Sequence, residues 1–222
     1  LVLRGIDEIA APGALVLAEE GGFTRPDGTK VDDDLDPATV EELWIVDPLD
    51  GTINFAHNIP HFAVSVACWR SGRPVAGAIV DPMVGETFSV EVDADGPGRA
   101  YHDGQLVQLR DPDGAGNALV YLGSSVRRLP EVIARFRGTR QLASACLALA
   151  WTGVGRTGAY IQRGGLNPWD WGVGAPFVVA AGGVATVPET GSPDLPLVGT
   201  TGIIAAAPSV HAEIAPLLLA EG

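Results

Sequence analysis

Positive charge is scarce in this chain: 14 Lys and Arg stand against 27 Asp and Glu in 222 residues, a formal net charge of −13. A phosphate backbone needs a basic face, so this balance argues against a nucleic-acid partner. Long apolar runs are missing too. No uncharged apolar stretch reaches the roughly 18 residues that a membrane-spanning helix requires, so no membrane partner is expected. The N-terminus has no basic n-region, no signal-peptide apolar region and no initiator Met. Only two cysteines are present, Cys68 and Cys146. They cannot form a disulfide framework and have no metal-ligand spacing, so reduced core cysteines and a cytoplasmic location are expected.

The chain does have enough apolar material, 46% of its residues, to bury a substantial core, and 29 Gly and 17 Pro promise many turns. Residues 1–10 read as the end of a helix. Ala14 to Ala18 form an apolar run into Glu19-Glu20-Gly21-Gly22. From Phe23 to Thr39 the chain is polar and reads as a mobile loop, with Asp32-Asp33-Asp34 as a solvated acidic stretch. Strands are expected at 63–70, 74–81, 86–92 and 118–123, and Asp103-Gly104 marks a hairpin within 100–109. Beyond residue 125 helices alternate with strands. Pro130 opens one helix and Ser144 caps another over 145–151. A short strand follows at 159–162, then a buried helix over 169–181 ending at Gly182-Gly183, and a strand at 203–207 before a last helix. A hairpin-rich half (about 1–125) and an α/β half (126–222) suggest two packed sublayers of a single domain over 1–222.

The stretch WIVDPLDGTIN, residues 44–54, carries two carboxylates to the end of an apolar strand. One reading is a helix start, with Asp47 as N-cap, Pro48 at N1 and Asp50 at N3. The other is a cation site. Two carboxylates turned to one side, roughly 4 Å apart, repel by about 4 kcal/mol at an effective dielectric near 20. A divalent cation converts that repulsion into binding, and Mg²⁺ favours hard oxygen ligands of this kind. The Leu49 carbonyl could join them. Gly51 lets the backbone approach an anion, and Thr52 adds a hydroxyl that could orient water. Glu19 and Asp170 could add carboxylates, although a surface acidic pair and a helix-dipole role are the plainer readings of those two residues taken alone.

Taken together, these stretches resemble the inositol monophosphatase family, within the larger group that includes fructose-1,6-bisphosphatase. WIVDPLDGTINF matches the signature D-P-[IL]-D-G-[ST]-x-N-[FY], NPWDWGVGAPFVVAAGG matches W-D-x-A-x-G with a downstream Gly-Gly, and LAEEGG matches a G-E-E segment with Ala18 for its glycine. The resemblance implies an αβαβα sandwich of the α/β class and a homodimer. It implies two or three Mg²⁺ ions, the metal ligands being Glu19, Asp47, the Leu49 carbonyl, Asp50 and Asp170. Phosphate would lie on the N–H groups of Gly51 and Thr52, and a metal-activated water positioned by Thr52 would attack phosphorus in line. No Cys or His nucleophile is implied, which leaves His57, His61, His102 and His211 as structural or surface residues.

The same resemblance locates the leaving-group side of the substrate at Ser124 in GSS (123–125), at Ala143-Ser144-Ala145, at Gln162 and at Asp170. Gln162 stands where the family has a Glu, and one extra residue separates it from Asp170; Ala180 stands where the family often has a Glu. Pro176 falls inside the expected helix, at a cost of about 3 kcal/mol unless that helix starts late or kinks. The family's T-x-A-D stretch, whose Asp partners the threonine, is not found upstream of Glu19, so the natural chain is expected to begin earlier by roughly two helices. The implied activity is hydrolysis of a small phosphate monoester: inositol monophosphate or a related polyol or sugar phosphate. Histidinol phosphate, fructose 1,6-bisphosphate, NADP or a 3′-phosphoadenosine nucleotide are alternatives. A non-catalytic regulatory protein on the same fold is a further one, which the intact set of carboxylates disfavours.

Overall fold

The apolar run before Glu19 becomes the buried strand β1 (Leu15–Ala18) in a computed structural model that describes residues 2–31, 35–124 and 130–219. Ahead of it, α1 (Val2–Ile9) sets Ile6 against Val16 and Val46. β1 pairs antiparallel with β2 (Gly22–Thr24) and in parallel with β3 (Leu43–Asp50). A short helix, α2 (Thr52–Ala56), separates β3 from β4 (Ala63–Arg70). An antiparallel meander continues through β5 (Arg73–Asp81), β6 (Glu86–Glu91), β7 (Arg99–His102) and β8 (Gln105–Val107), giving an eight-stranded sheet in the order β2-β1-β3-β4-β5-β6-β7-β8. Asp103 and Gly104 both take positive φ (49° and 75°) between β7 and β8, the backbone that a two-residue hairpin turn requires.

The second half builds a five-stranded sheet, β10-β9-β11-β13-β12. Its strands are β9 (Leu119–Leu122), β10 (Gly138–Arg140), β11 (Ala159–Leu166), β12 (Val184–Thr186) and β13 (Thr201–Ala206). The helices are α3 (Pro130–Ile133), α4 (Ala145–Gly153), α5 (Pro168–Trp171), α6 (Gly174–Ala180) and α7 (Pro208–Leu219). α4 is apolar around most of its circumference, and Cys146 to Ala150 are all buried, because it lies between the two sheets. Leu43, Ile45, Ile79 and Phe88 of the first sheet share a core with α4, α6 and Ile203 of the second. The opposite face of the second sheet packs Val120, Ile161 and Ile204 on Val210, Ile214 and Leu218 of α7. The succession of α1, sheet, α4–α6, sheet, α3 and α7 is the layered α/β arrangement that the resemblance implies.

Three expectations need correction. Residues 23–39 are not simply a loop: they open in β2, Thr24 bridges to Lys30, and Pro37–Thr39 form a 3₁₀ turn capped by Asp36. The helix-start reading of DPLDGT fails. β3 runs through Asp50, Gly51 follows at φ 93°, and the helix begins only at Thr52. The helix over 169–181 is two helices, broken around Gly172 and Val173. That break also accommodates Pro176, which becomes the third residue of α6, where a missing N–H costs no intrahelical bond. Asp32-Asp33-Asp34 and Ser125 lie outside the described residues.

Candidate active site

Parallel pairing of β1 with β3 brings the first two carboxylates together. The register matches Ala18 with Val46, so Glu19, just past the end of β1, follows beside Asp47, which is still paired with Ser65 of β4. The β3–β4 ladder is irregular between Asp47 and Asp50, as expected where Pro48 removes a donor. Asp47 is buried, and its Oδ1 accepts from the N–H of Leu49 at 3.0 Å. The Leu49 carbonyl accepts the Thr52 hydroxyl at 3.1 Å. Gly51, in the left-handed region, could carry a side chain only under strain, and a Cβ there would come within 3.1 Å of the His61 carbonyl oxygen.

Asp50 is held from the other half of the chain. Its Oδ2 accepts from the Ser144 hydroxyl and from the N–H of Cys146 (2.8 Å), and its Oδ1 from the N–H of Ala145 (3.2 Å). Ser144 is the N-cap of α4 as expected, accepting from the N–H of Leu147 at 3.3 Å. Asp170 sits at the start of α5, with Oδ2 accepting from the N–H of Asn167 at 2.6 Å.

These carboxyls raise one another's pKa. Burial, then the charge of Asp50, pushes Asp47 up to about 8. Burial raises Asp170 to about 7, with the charges of Asp50 and Glu19 adding to it. Burial also raises Asp50 in spite of its three donors, and it raises Glu19 at the rim together with the charges of Glu20 and Asp50. None of the four forms an ion pair with Lys or Arg among the described residues. Among the described residues only Asp47, Asp50 and Cys146 bring ligand atoms within 4.8 Å of one another, with Glu19 and Asp170 standing farther off, and the two hard-oxygen carboxylates at that centre suit a cation such as Mg²⁺.

A cavity of about 490 Å³ opens beside them. Of the residues singled out in the sequence, Glu19, Asp50, Gly51, Thr52, Ser124, Ala143, Ser144, Ala145, Gln162 and Asp170 line it. Asp47 and Leu49 do not line it. Gln162 is buried, its Nε2 donating to the Gly164 carbonyl at 2.7 Å. Gly123 is required for that placement, since a Cβ there would overlap the Gln162 side-chain oxygen at 1.6 Å. The β11–β13 register is irregular between Gln162 and Leu166, where Gly164 and Gly165 have φ of 155° and 79°. Sequence reasoning missed Ile53, Tyr121, Tyr160, Gly165, Leu166, Asn167 and Trp169, which with Gly123 complete the lining. Only Asn167 had a usable signal, as an Asn three residues ahead of Asp170 at a helix start. Both cysteines are free and buried, and Cys146 lies directly under the carboxylates, its Sγ within 4.8 Å of the Asp47 and Asp50 oxygens.

A layered α/β fold with carboxylates gathered beside a glycine turn makes a candidate cation site between the two sheets. The model of the inositol monophosphatase family matches residues 12–221, and the chain belongs to that family. The Nus factor SuhB of Pseudomonas aeruginosa is 34% identical over 188 residues, covering 80% of this chain and 65% of the relative. The fructose-1,6-bisphosphatase/inositol-1-monophosphatase of Thermotoga maritima is 32% identical over 190 residues, covering 82% and 66%. The chain therefore spans just under two thirds of those relatives' lengths. The inositol-1-monophosphatase of Caulobacter vibrioides is 33% identical over 219 residues, covering 92% of this chain and 78% of the relative. The crystal structure of inositol monophosphatase II from Staphylococcus aureus superposes with a TM-score of 0.83 at 26% identity, covering 99% of this chain and 79% of that one.

Proposed function

We propose that the protein is a Mg²⁺-dependent phosphomonoesterase acting on a small polyol or sugar phosphate, with inositol monophosphate as the leading candidate. The observation that carries this reading is the gathering of Glu19, Asp50 and Asp170 on the cavity beside the Gly51–Thr52 turn, with buried Asp47 coupled to all three and, among the described residues, no Lys or Arg paired with any of the four. Glu19, Asp47, the Leu49 carbonyl, Asp50 and Asp170 would hold two or three ions. Bound there, Mg²⁺ supplies charge neutralisation for phosphate oxygens and lowers the pKa of water.

The chain's own groups do the rest. Gly51 and Thr52 line the cavity, and their N–H groups would receive the phosphate, with no side chain at Gly51 to intervene. Thr52, whose hydroxyl proton is donated to Leu49, keeps its oxygen lone pairs to accept from a water and set its direction. Ser124, the Ala143–Ala145 backbone and Gln162 offer neutral donors and acceptors to hydroxyls of the leaving group, which suits a polyol. The intact carboxylate set favours an enzyme over a non-catalytic regulator. The reading includes a cytoplasmic homodimer.

The test is phosphate release from inositol 1-phosphate, histidinol phosphate, fructose 1,6-bisphosphate, NADP and 3′-phosphoadenosine 5′-phosphate, with and without Mg²⁺. Release that needs Mg²⁺ and falls more than about 100-fold in Asp50→Asn, beyond the usual cost of a lost supporting contact, is the expected result. No release from any of the five rejects the reading.

A further inference from the structure

We propose that Tyr121 and His61 are positioning residues for Asp50, acting through the first turn of α4; the proposal rests on the phosphatase reading above. Every described hydrogen bond to the Asp50 carboxylate comes from residues 144–146. The place and tilt of that turn therefore decide where the carboxylate's remaining lone pairs face. The turn is entered through Ala143 at φ 52°, a conformation that L-residues disfavour. Something must hold the chain there.

What holds it is a closed ring of buried polar contacts. The N–H of Ser144 donates to the Tyr121 hydroxyl at 3.3 Å, and that hydroxyl lies 3.0 Å from Nε2 of His61. The backbone carbonyls of His61 and Leu142 are both held by the Asn54 side-chain amide, at 2.7 and 2.6 Å. The ring runs from α2 through His61 to Tyr121 on the second sheet, then to Ser144, and returns through Leu142 to Asn54. Tyr121, His61 and Asn54 are 1%, 8% and 6% exposed, so water cannot replace a lost partner cheaply. His61 lies just before β4 and Tyr121 in β9, and their contact joins the two sheets directly behind the carboxylates. Packing alone would ask only for two rings of this size: His61 stands edge-on to Trp151 at 5.2 Å, and Tyr121 edge-on to Tyr160 at 5.8 Å. The hydroxyl and the ring nitrogen are the parts that packing leaves unexplained.

The decisive experiment is calorimetric titration of Mg²⁺ into the wild-type protein and into Tyr121→Phe, His61→Phe, His61→Gln and Trp151→Phe, with urea unfolding of each metal-free protein alongside. Tyr121→Phe keeps the ring and should bind Mg²⁺ about tenfold more weakly, the low end of what a supporting contact to a metal ligand costs. His61→Phe should weaken binding less, and His61→Gln should recover part of the loss. Trp151→Phe disturbs the packing without touching the ring of hydrogen bonds, and should lose stability but not affinity. Wild-type affinity in both Tyr121→Phe and His61→Phe overturns the proposal, as does a loss in Trp151→Phe equal to that in Tyr121→Phe. A wild-type protein that takes up no Mg²⁺ instead rejects the phosphatase reading itself, and the positioning role with it.

Discussion

At the scale of the residue, the carboxylates set a pH dependence whose sign is unusual for aspartates. Asp47 and Asp170 have folded-state pKa values of about 8 and about 7, raised from 3.8 chiefly by burial. In metal-free protein the unfolded chain gives up these protons near pH 4 and the folded chain only near neutrality. The stability they lend is thus complete below about pH 4 and is lost as the pH rises through 7 and 8. Thermal melts in EDTA should therefore show the melting temperature falling from pH 5 to pH 8, with a shallower fall in Asp47→Asn. Added Mg²⁺ should stabilise more at pH 8 than at pH 5, and a gain that is equal at both would count against the cluster. Asp47, Asp50 and Asp170 were legible in the sequence because each lies in a short motif whose chemistry is local. Tyr121 and His61 were not, because they are 60 positions apart and meet only when one sheet faces the other.

At the scale of the element, the central helices approach unusually closely. A Cβ added at Gly174 of α6 would stand 2.4 Å from the Cβ of Leu149 in α4, and one at Gly153 would stand 2.4 Å from a ring carbon of Phe177. Alanine at a helical glycine ordinarily gains about 1 kcal/mol. Here the clash is with an atom that no rotamer change can move, and overpacking costs about 1–3 kcal/mol. Gly174→Ala should accordingly lose about 1–2 kcal/mol in urea unfolding. Gly5→Ala in α1, where nothing lies within 4 Å of the added carbon, should instead gain stability. The strands at 63–70, 74–81 and 86–92 were readable as apolar runs bounded by turn residues. β2, β10 and β12 have three residues each, too few to show any period, and polarity hid the first of them. The break between α5 and α6 was signalled only by Gly172 and Pro176, because the residues around them continue the apolar run.

At the scale of the whole molecule, the site belongs to neither half alone. Asp47 and Asp50 belong to β3 and Glu19 directly follows β1, while Asp170 and the turn that holds Asp50 come from the second half. The contacts from Ser144, Ala145 and Cys146 to Asp50 bridge 94, 95 and 96 positions of chain. Closing a loop that long is paid for before its contacts reward it, so this clamp should form late, after the transition state for folding. A ligand recognised only by the finished clamp cannot speed folding; it can only slow escape from the folded state. Stopped-flow experiments should then find the refolding rate unchanged by Mg²⁺ and the unfolding rate lowered by it. Such an ion acts as a latch on a door that has already closed, and the protein's lifetime against proteolysis will follow the Mg²⁺ concentration around it.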